Sequence, residues 1–153
     1  MLLKDEVQML RRVPLFAGVE PTKLKLLAFT SDRVSYAAGE ILFRQGDRGD
    51  AAYVILTGKA DILVEAPGGQ IKVAEVEDNS IVGEIAILCD VSRTATVKAA
   101  TSLEALRISK EHFLKLLTDF PEMTIEIMRE LASRLSRTTA ELTEARARAR
   151  KQD

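Results

Sequence analysis

The chain has 153 residues, 46% hydrophobic and 29% charged, which suits one domain able to bury most of its apolar surface. Its 22 Lys and Arg against 23 Asp and Glu leave a net charge of -1, so no broad cationic footprint for nucleic acid is expected. One cysteine, Cys89, excludes an internal disulfide and a thiolate metal cluster. Asp5 and Glu6 stand where a secretory leader would be basic and then apolar, and no stretch approaches membrane-spanning length. The chain therefore reads as cytoplasmic, without a membrane segment, and Met1 at the start favours a complete chain.

Leu3, Val7 and Leu10 recur at helical spacing until Pro14 ends the pattern, and Pro21 opens a second short helix carrying Leu24, Leu27 and Ala28. From Ser31 to Ser109 the signal changes to short runs separated by turn residues. These are Val34 to Tyr36, Ile41 to Phe43, Tyr53 to Leu56, Ala60 to Val64, Ile71 to Val76, Ile81-Val82, Thr94 to Ala99 and Leu103 to Ile108. Runs at this spacing predict a β-sandwich or barrel rather than a parallel sheet. Gly68-Gly69 marks the clearest hairpin, since glycine accepts the positive φ of a tight connection.

The helical period returns at Lys110, with Phe113, Leu116 and Leu117 on a short helix. After Pro121 a long helix carries Met128, Leu131, Leu135, Thr138, Leu142, Ala145 and Ala149 at alternating spacings of three and four, the seam of a two-stranded coiled coil. Three fates are open for this helix: a lid over a pocket, a homodimer contact, or a lone solvated tail beyond residue 142, where small side chains bury little area.

From the end of the sixth run into the seventh extends Gly-Glu-Ile-Ala-Ile-Leu-Cys-Asp-Val-Ser-Arg-Thr-Ala-Thr-Val, residues 83–97. Gly83 lets backbone approach a ligand, and the helix-compatible residues after it offer unpaired N–H groups to an anion. Glu84 is a carboxylate able to accept from a sugar hydroxyl, and Arg93 is a planar cation able to grip two phosphate oxygens. This stretch resembles the phosphate-binding cassette of the cyclic-nucleotide-binding domain family, as in CRP and the regulatory subunits of protein kinase A. The likeness rests on Gly83, Glu84, Ile85, Ala86, Arg93, Thr94, Ala95, Thr96 and Val97 and extends upstream to Gly46-Asp47-Arg48-Gly49-Asp50. Ser92 stands where the family usually has proline, which alters loop stiffness but removes no ligand atom. A free-standing module of this kind is similar to bacterial examples.

The resemblance implies an eight-stranded antiparallel jelly-roll β-barrel, mainly β with flanking helices. N-terminal helices (1–30), roll (31–109) and C-terminal helices (110–153) would form a single domain over 1–153. It implies a 3',5'-cyclic nucleotide ligand, cyclic AMP first and cyclic GMP close behind, with no catalytic residue, metal or cofactor. Gly83, Glu84, Ile85, Ala86, Arg93, Thr94 and Ala95 would bind it. The phosphate would meet Arg93 and the N–H groups of Ala86 and Ala95, Glu84 would accept the 2'-hydroxyl, and Thr94 could reach a guanine 2-amino group. Val73 and Val82 would wall the base, and Leu131, Arg134 and Leu135 would form the lid. Occupancy would be relayed through the C-terminal helix to an effector protein or second subunit. The rival reading is an interaction scaffold with the same fold and an unused pocket.

Other patterns carry less. Gly58-Lys59 is not a triphosphate loop, because Tyr53 and Ala60 stand where Gly and Ser/Thr belong. Arg48-Gly49-Asp50 reads as a turn. His112, the single histidine, supports neither a histidine-rich metal site nor a Ser-His-acid relay and is expected at the surface, so no enzyme is expected. Cys89 is expected as a small apolar residue behind the cassette. Glu75, Glu77 and Asp78 read as a solvated strand end, and the basic residues Arg146 to Lys151 as complements to a helix C-terminus. No helix-turn-helix segment follows the long helix, so no direct DNA binding is expected.

Overall fold

The computed structural model describes residues 3–16 and 18–152. Helix α1 (Leu3–Arg11) leads into a 3-10 turn (Pro14–Phe16) and helix α2 (Pro21–Thr30), whose first residue is proline, the residue that costs a helix N-terminus least. The side chain of Leu3 lies outside the described residues, whereas Leu10, Leu24, Leu27 and Ala28 are all buried. Eight strands follow: β1 (Asp32–Tyr36), β2 (Ile41–Phe43), β3 (Ala51–Thr57), β4 (Ala60–Ala66), β5 (Gly69–Val76), β6 (Ile81–Val82), β7 (Thr96–Ala99) and β8 (Leu103–Ser109). A five-residue helix α3 (Glu84–Leu88) interrupts them, and α4 (Lys110–Asp119) and α5 (Pro121–Gln152) close the chain.

The strands form two four-stranded antiparallel sheets, ordered β1-β8-β3-β6 and β2-β7-β4-β5. This is the expected jelly roll, built as two facing sheets rather than one closed ladder. The turn between β4 and β5 is Pro67-Gly68, with Gly68 at φ 91°, and Gly69 already opens β5. Strand β7 begins at Thr96, two residues later than the apolar pattern suggests. Arg93 is instead bonded to the loop before β3, its N–H donating to Asp47 O at 2.7 Å and its carbonyl accepting from Gly46 N–H at 2.9 Å.

Strand β3 is central and buried on both faces, as its run Ala51-Ala52-Tyr53-Val54-Ile55-Leu56 requires. Alternation sends Ala52, Val54 and Leu56 toward the helices, where they meet Leu10, Phe16, Leu24, Phe113, Met123 and Ile127. Ala51, Tyr53 and Ile55 face the other way, into the roll, with Leu42, Val82, Val97 and Leu103. One strand thus ties the outer helices to the interior of the roll.

Ser109 caps α4, its hydroxyl accepting from His112 N–H at 3.3 Å, and His112 is exposed as expected. Phe120 separates α4 from α5 with a non-helical backbone (φ −130°, ψ 81°), as a following proline disfavours the helical conformation in the residue before it. Helix α5 packs by Met123 and Ile127, is half-buried at Leu131 and Arg134, and is exposed beyond. Among the described residues no helix is long and apolar enough to cross a membrane.

Candidate functional site

Strand β6 ends at Val82, and Gly83 turns the chain into α3 with φ 87°, a conformation that costs an L side chain about 1–2 kcal/mol. Space forbids a side chain as well. A Cβ at Gly83 would lie 2.6 Å from Arg93 Nη1, 3.1 Å from Ala51 O and 3.3 Å from the Phe43 ring. Gly83 is therefore the floor on which the arginine rests.

Arg93 is 3% exposed. Its Nη1 donates to Gly83 O at 2.8 Å, its Nη2 donates to Ala51 O at 2.6 Å, and its guanidinium carbon stands 4.0 Å from the Phe43 ring centroid. Two carbonyls and one aromatic face fix the plane of the cation. Among the described residues its Nε is buried without a hydrogen-bond partner, an unsatisfied donor within an otherwise fixed side chain. Burial pulls the Arg93 pKa down, while Tyr53, Asp50 and Asp47 act the other way, and an arginine so placed remains a cation.

Glu84, the first residue of α3, is 5% exposed. Its Oε1 accepts from Arg134 Nη1 at 3.1 Å, and Arg134 Nη2 donates to Glu130 at 3.2 Å, one turn earlier on α5. Burial pushes the Glu84 carboxyl above its usual range; its own backbone N–H and Arg134 act against that rise. A buried carboxylate at the start of a short helix and a buried guanidinium across a glycine form a compact site of opposite charges. Such a pairing suits a ligand that brings both a hydroxyl and an anion.

The loop before β3 backs this site. Arg48 bridges to Ser92, and a side chain at Gly49 would overlap the Ala86 Cβ, so glycine there lets the loop lie against α3. Arg48-Gly49-Asp50 is not itself the turn that the sequence suggests: the chain turns at Gln45-Gly46, closed by Asp47 N–H donating to Arg44 O, and residues 48–50 run from the bridge into β3. Phe43, Ala51 and Asp50 all touch or approach Arg93, and the sequence reading assigned none of them to the site. Ala51 acts through a backbone carbonyl, which leaves no mark in a sequence; the Gly49-Asp50 pair was the available signal.

Gly83, Glu84, Ala86, Arg93 and Arg134 are brought together, with Ile85 half-buried beside them, and with half-buried Ala95 and exposed Thr94 just before the seventh strand. Val82 is buried inside the roll, and Leu131 packs on the helical side of the core. Val73 and Leu135 lie on the surface, at 54% and 68% exposure. Val73 sits at a register shift between Lys72 and Ala74, where β5 has one residue more than β4, so simple alternation misplaces it. Cys89 corrects an expectation: it is exposed at the end of α3, where the helix closes with Cys89 N–H donating to Ile85 O, and does not lie behind the cassette.

The family described as cyclic nucleotide-binding domain matches residues 33–120, more than half of the chain. The chain belongs to the cyclic nucleotide-binding domain family. A CRP-like cAMP-activated global transcriptional regulator of Mycobacterium tuberculosis is 30% identical over 141 residues, 92% of this chain and 62% of that protein. A cAMP-dependent protein kinase regulatory subunit of Blastocladiella emersonii is 32% identical over 109 residues, 71% of this chain and 27% of that protein. Among solved structures, the Thermus thermophilus Catabolite Activator Protein superposes with a TM-score of 0.77 at 30% identity, covering 84% of this chain and 61% of that one. The chain spans less than two thirds of these relatives. Their kinds, a transcriptional regulator and a kinase regulatory subunit, give no support to the expectation that direct DNA contact is absent. Among the described residues of this cyclic nucleotide-binding domain, no three or more His, Cys, Asp or Glu are grouped to hold a metal ion.

Proposed function

We propose that residues 1–153 act as one sensor unit for a 3',5'-cyclic nucleotide, cyclic AMP ahead of cyclic GMP, and relay occupancy through α5 without catalysing a reaction. The observation that carries this is Arg93, a nearly inaccessible cation oriented by Gly83 O, Ala51 O and Phe43, whose Nε donor has no partner within the protein. The phosphate would take that donor together with the first N–H groups of α3, at Ala86, and that of Ala95. The ribose 2'-hydroxyl would donate to Glu84.

The relay follows from Arg134. It reaches Glu84 from α5, so the carboxylate that would bind the sugar is already tied to the helix that would carry the signal. A ligand shifts a conformational equilibrium only through its different affinity for two states. A hydroxyl donating to Glu84 changes the charge balance at Arg134 and hence the position preferred by α5, with the backbone change taken up at Phe120. The exposed Met128, Leu135 and Leu142, one heptad apart, offer the surface read by a second copy or an effector protein.

The test is calorimetric titration of cyclic AMP, cyclic GMP and 5'-AMP into protein that has been unfolded, freed of carried-over nucleotide and refolded. One cyclic nucleotide binds and 5'-AMP does not. Arg93→Ala costs about 2–5 kcal/mol of binding, because a desolvated phosphate loses its partner. Arg93→Lys recovers little, since an ammonium lacks the fixed fork. Silence from all three nucleotides in folded protein would favour the scaffold reading instead.

A further inference from the structure

The inner face of the first sheet carries a second arginine. Arg107 lies within β8, where the ladder sets it opposite Tyr53 of β3 and opposite Asp32 of β1. Residues directly opposite in an antiparallel pair share a face. Tyr53 belongs to the cluster inside the roll, so Arg107 projects to the side that also holds Phe43 and the cassette arginine. Arg107 Nη2 donates to Asp50 Oδ2 at 3.0 Å, and its Nη1 stands 3.9 Å from Asp32 Oδ2. The other oxygen of Asp50 lies 3.7 Å from Arg93 Nη2. One carboxylate thus stands between two guanidiniums, hydrogen-bonded to Arg107 and only near Arg93.

That asymmetry has a consequence for an anionic ligand. Two carbonyls and an aromatic ring already hold Arg93, and at 3.7 Å Asp50 adds no hydrogen bond. What Asp50 adds is negative charge beside the cation that a phosphate would need. Freed from Arg107, the Asp50 side chain, 68% exposed, can swing fully onto Arg93 and compete with the ligand. Held by Arg107, it is drawn toward β8, and its field at Arg93 is partly cancelled.

We propose that Arg107 is a positioning residue that sets phosphate affinity by holding Asp50 away from Arg93. The inference rests on the cyclic-nucleotide reading of the cassette. Among the described residues, the charged and titratable groups facing Arg107 are Asp50 from the loop before β3, Asp32 and Tyr36 from β1 and Tyr53 from β3, with Arg93 beyond Asp50.

Cyclic AMP and cyclic GMP are titrated calorimetrically into wild type, Arg107→Gln, Arg107→Lys, Asp50→Asn and the Asp50→Asn/Arg107→Gln double variant, each checked for folding by thermal melting. Arg107→Gln weakens binding about tenfold, whereas in the Asp50→Asn background the same change costs less than about threefold, the coupling expected of residues sharing one partner. Arg107→Lys retains most of the affinity, and Asp50→Asn binds as tightly as wild type or more so. General damage to the sheet would weaken binding equally in both backgrounds. Equal losses in the two backgrounds, undiminished binding by Arg107→Gln, or weakened binding by Asp50→Asn each overturn the role of Arg107. Wild type that binds neither nucleotide overturns the cassette reading itself and this role with it, a failure visible before any variant is made.

Discussion

Gly83 is the position at which geometry makes the sharpest demand, and Gly83→Ala isolates it. Two costs combine. The positive φ alone costs about 1–2 kcal/mol in an L residue. The new methyl would also lie 2.6 Å from Arg93 Nη1, and that nitrogen, at the end of a flexible chain, would move before the backbone does. Its displacement breaks the bond to Gly83 O, a charge-assisted hydrogen bond whose loss costs about 1.5–3 kcal/mol. The sum, about 2.5–5 kcal/mol, is within what a domain of ordinary stability survives. Gly68→Ala provides the control. Gly68 has nearly the same φ, 91° against 87°, but a methyl added there would meet no atom within 4 Å, so that variant bears the conformational cost alone. Urea denaturation of both variants should separate them by the hydrogen-bond term, and cyclic-nucleotide titration should find binding lost in Gly83→Ala and intact in Gly68→Ala. Equal stabilities together with normal binding by Gly83→Ala would refute the claim that this glycine exists to seat Arg93.

A 2'-deoxy cyclic nucleotide should bind about 1–3 kcal/mol more weakly than the ribo form, because Glu84 then loses the ligand's hydroxyl donor in a buried site, and Glu84→Ala, which removes the acceptor, should abolish the difference in a paired titration. Arg134→Ala should destabilise the protein by about 1–3 kcal/mol by leaving the Glu84 carboxylate unpaired. The pH sign follows from the raised Glu84 pKa: the folded state binds the proton more tightly than the unfolded one, so stability falls as pH rises from the ordinary carboxylate range through the raised folded value. The loss in Arg134→Ala should therefore shrink when denaturation is repeated at mildly acidic pH, and Glu84→Gln should remove that dependence. Replacing Leu135 and Leu142 together by Glu should leave folding within about 0.5 kcal/mol, as expected of exposed sites, and sedimentation should show any α5-mediated dimer reduced to monomer.

The strands were legible because each is bounded by residues with one local job. Gly58 and Gly68 take positive φ, and Pro67 stops the run of β4, as Pro121 among the helices marks the start of α5. The cassette was legible for a related reason: Gly83, Glu84 and Arg93 are residue types that a burial pattern does not explain, spaced within one loop. What lay beyond reach was long-range and backbone-borne. The acceptor for Arg93 Nη2 is the carbonyl of a residue 42 positions away, and Arg134 finds Glu84 across 50. The placement of Val73 depended on a register shift, and that of Cys89 on the closing turn of a five-residue helix, neither of which alternation or composition records.

The site is also where the chain departs most from what stability alone would select. Among the described residues Glu84 and Arg93 are the two charged ones that are buried, and they do not pair with each other. Each is satisfied in part: Glu84 by a half-exposed arginine from another helix, Arg93 by two carbonyls, with the buried Nε–H left without a partner. A core selected for packing would replace both with apolar side chains, since a buried charge rarely recovers its full desolvation cost. A stable scaffold would have no use for an orphaned guanidinium donor on an otherwise rigidly held side chain. A ligand that supplies an anion to Arg93 and a hydroxyl to Glu84 would complete both at once, and the stability lost in its absence is then the source of the binding energy that its arrival returns.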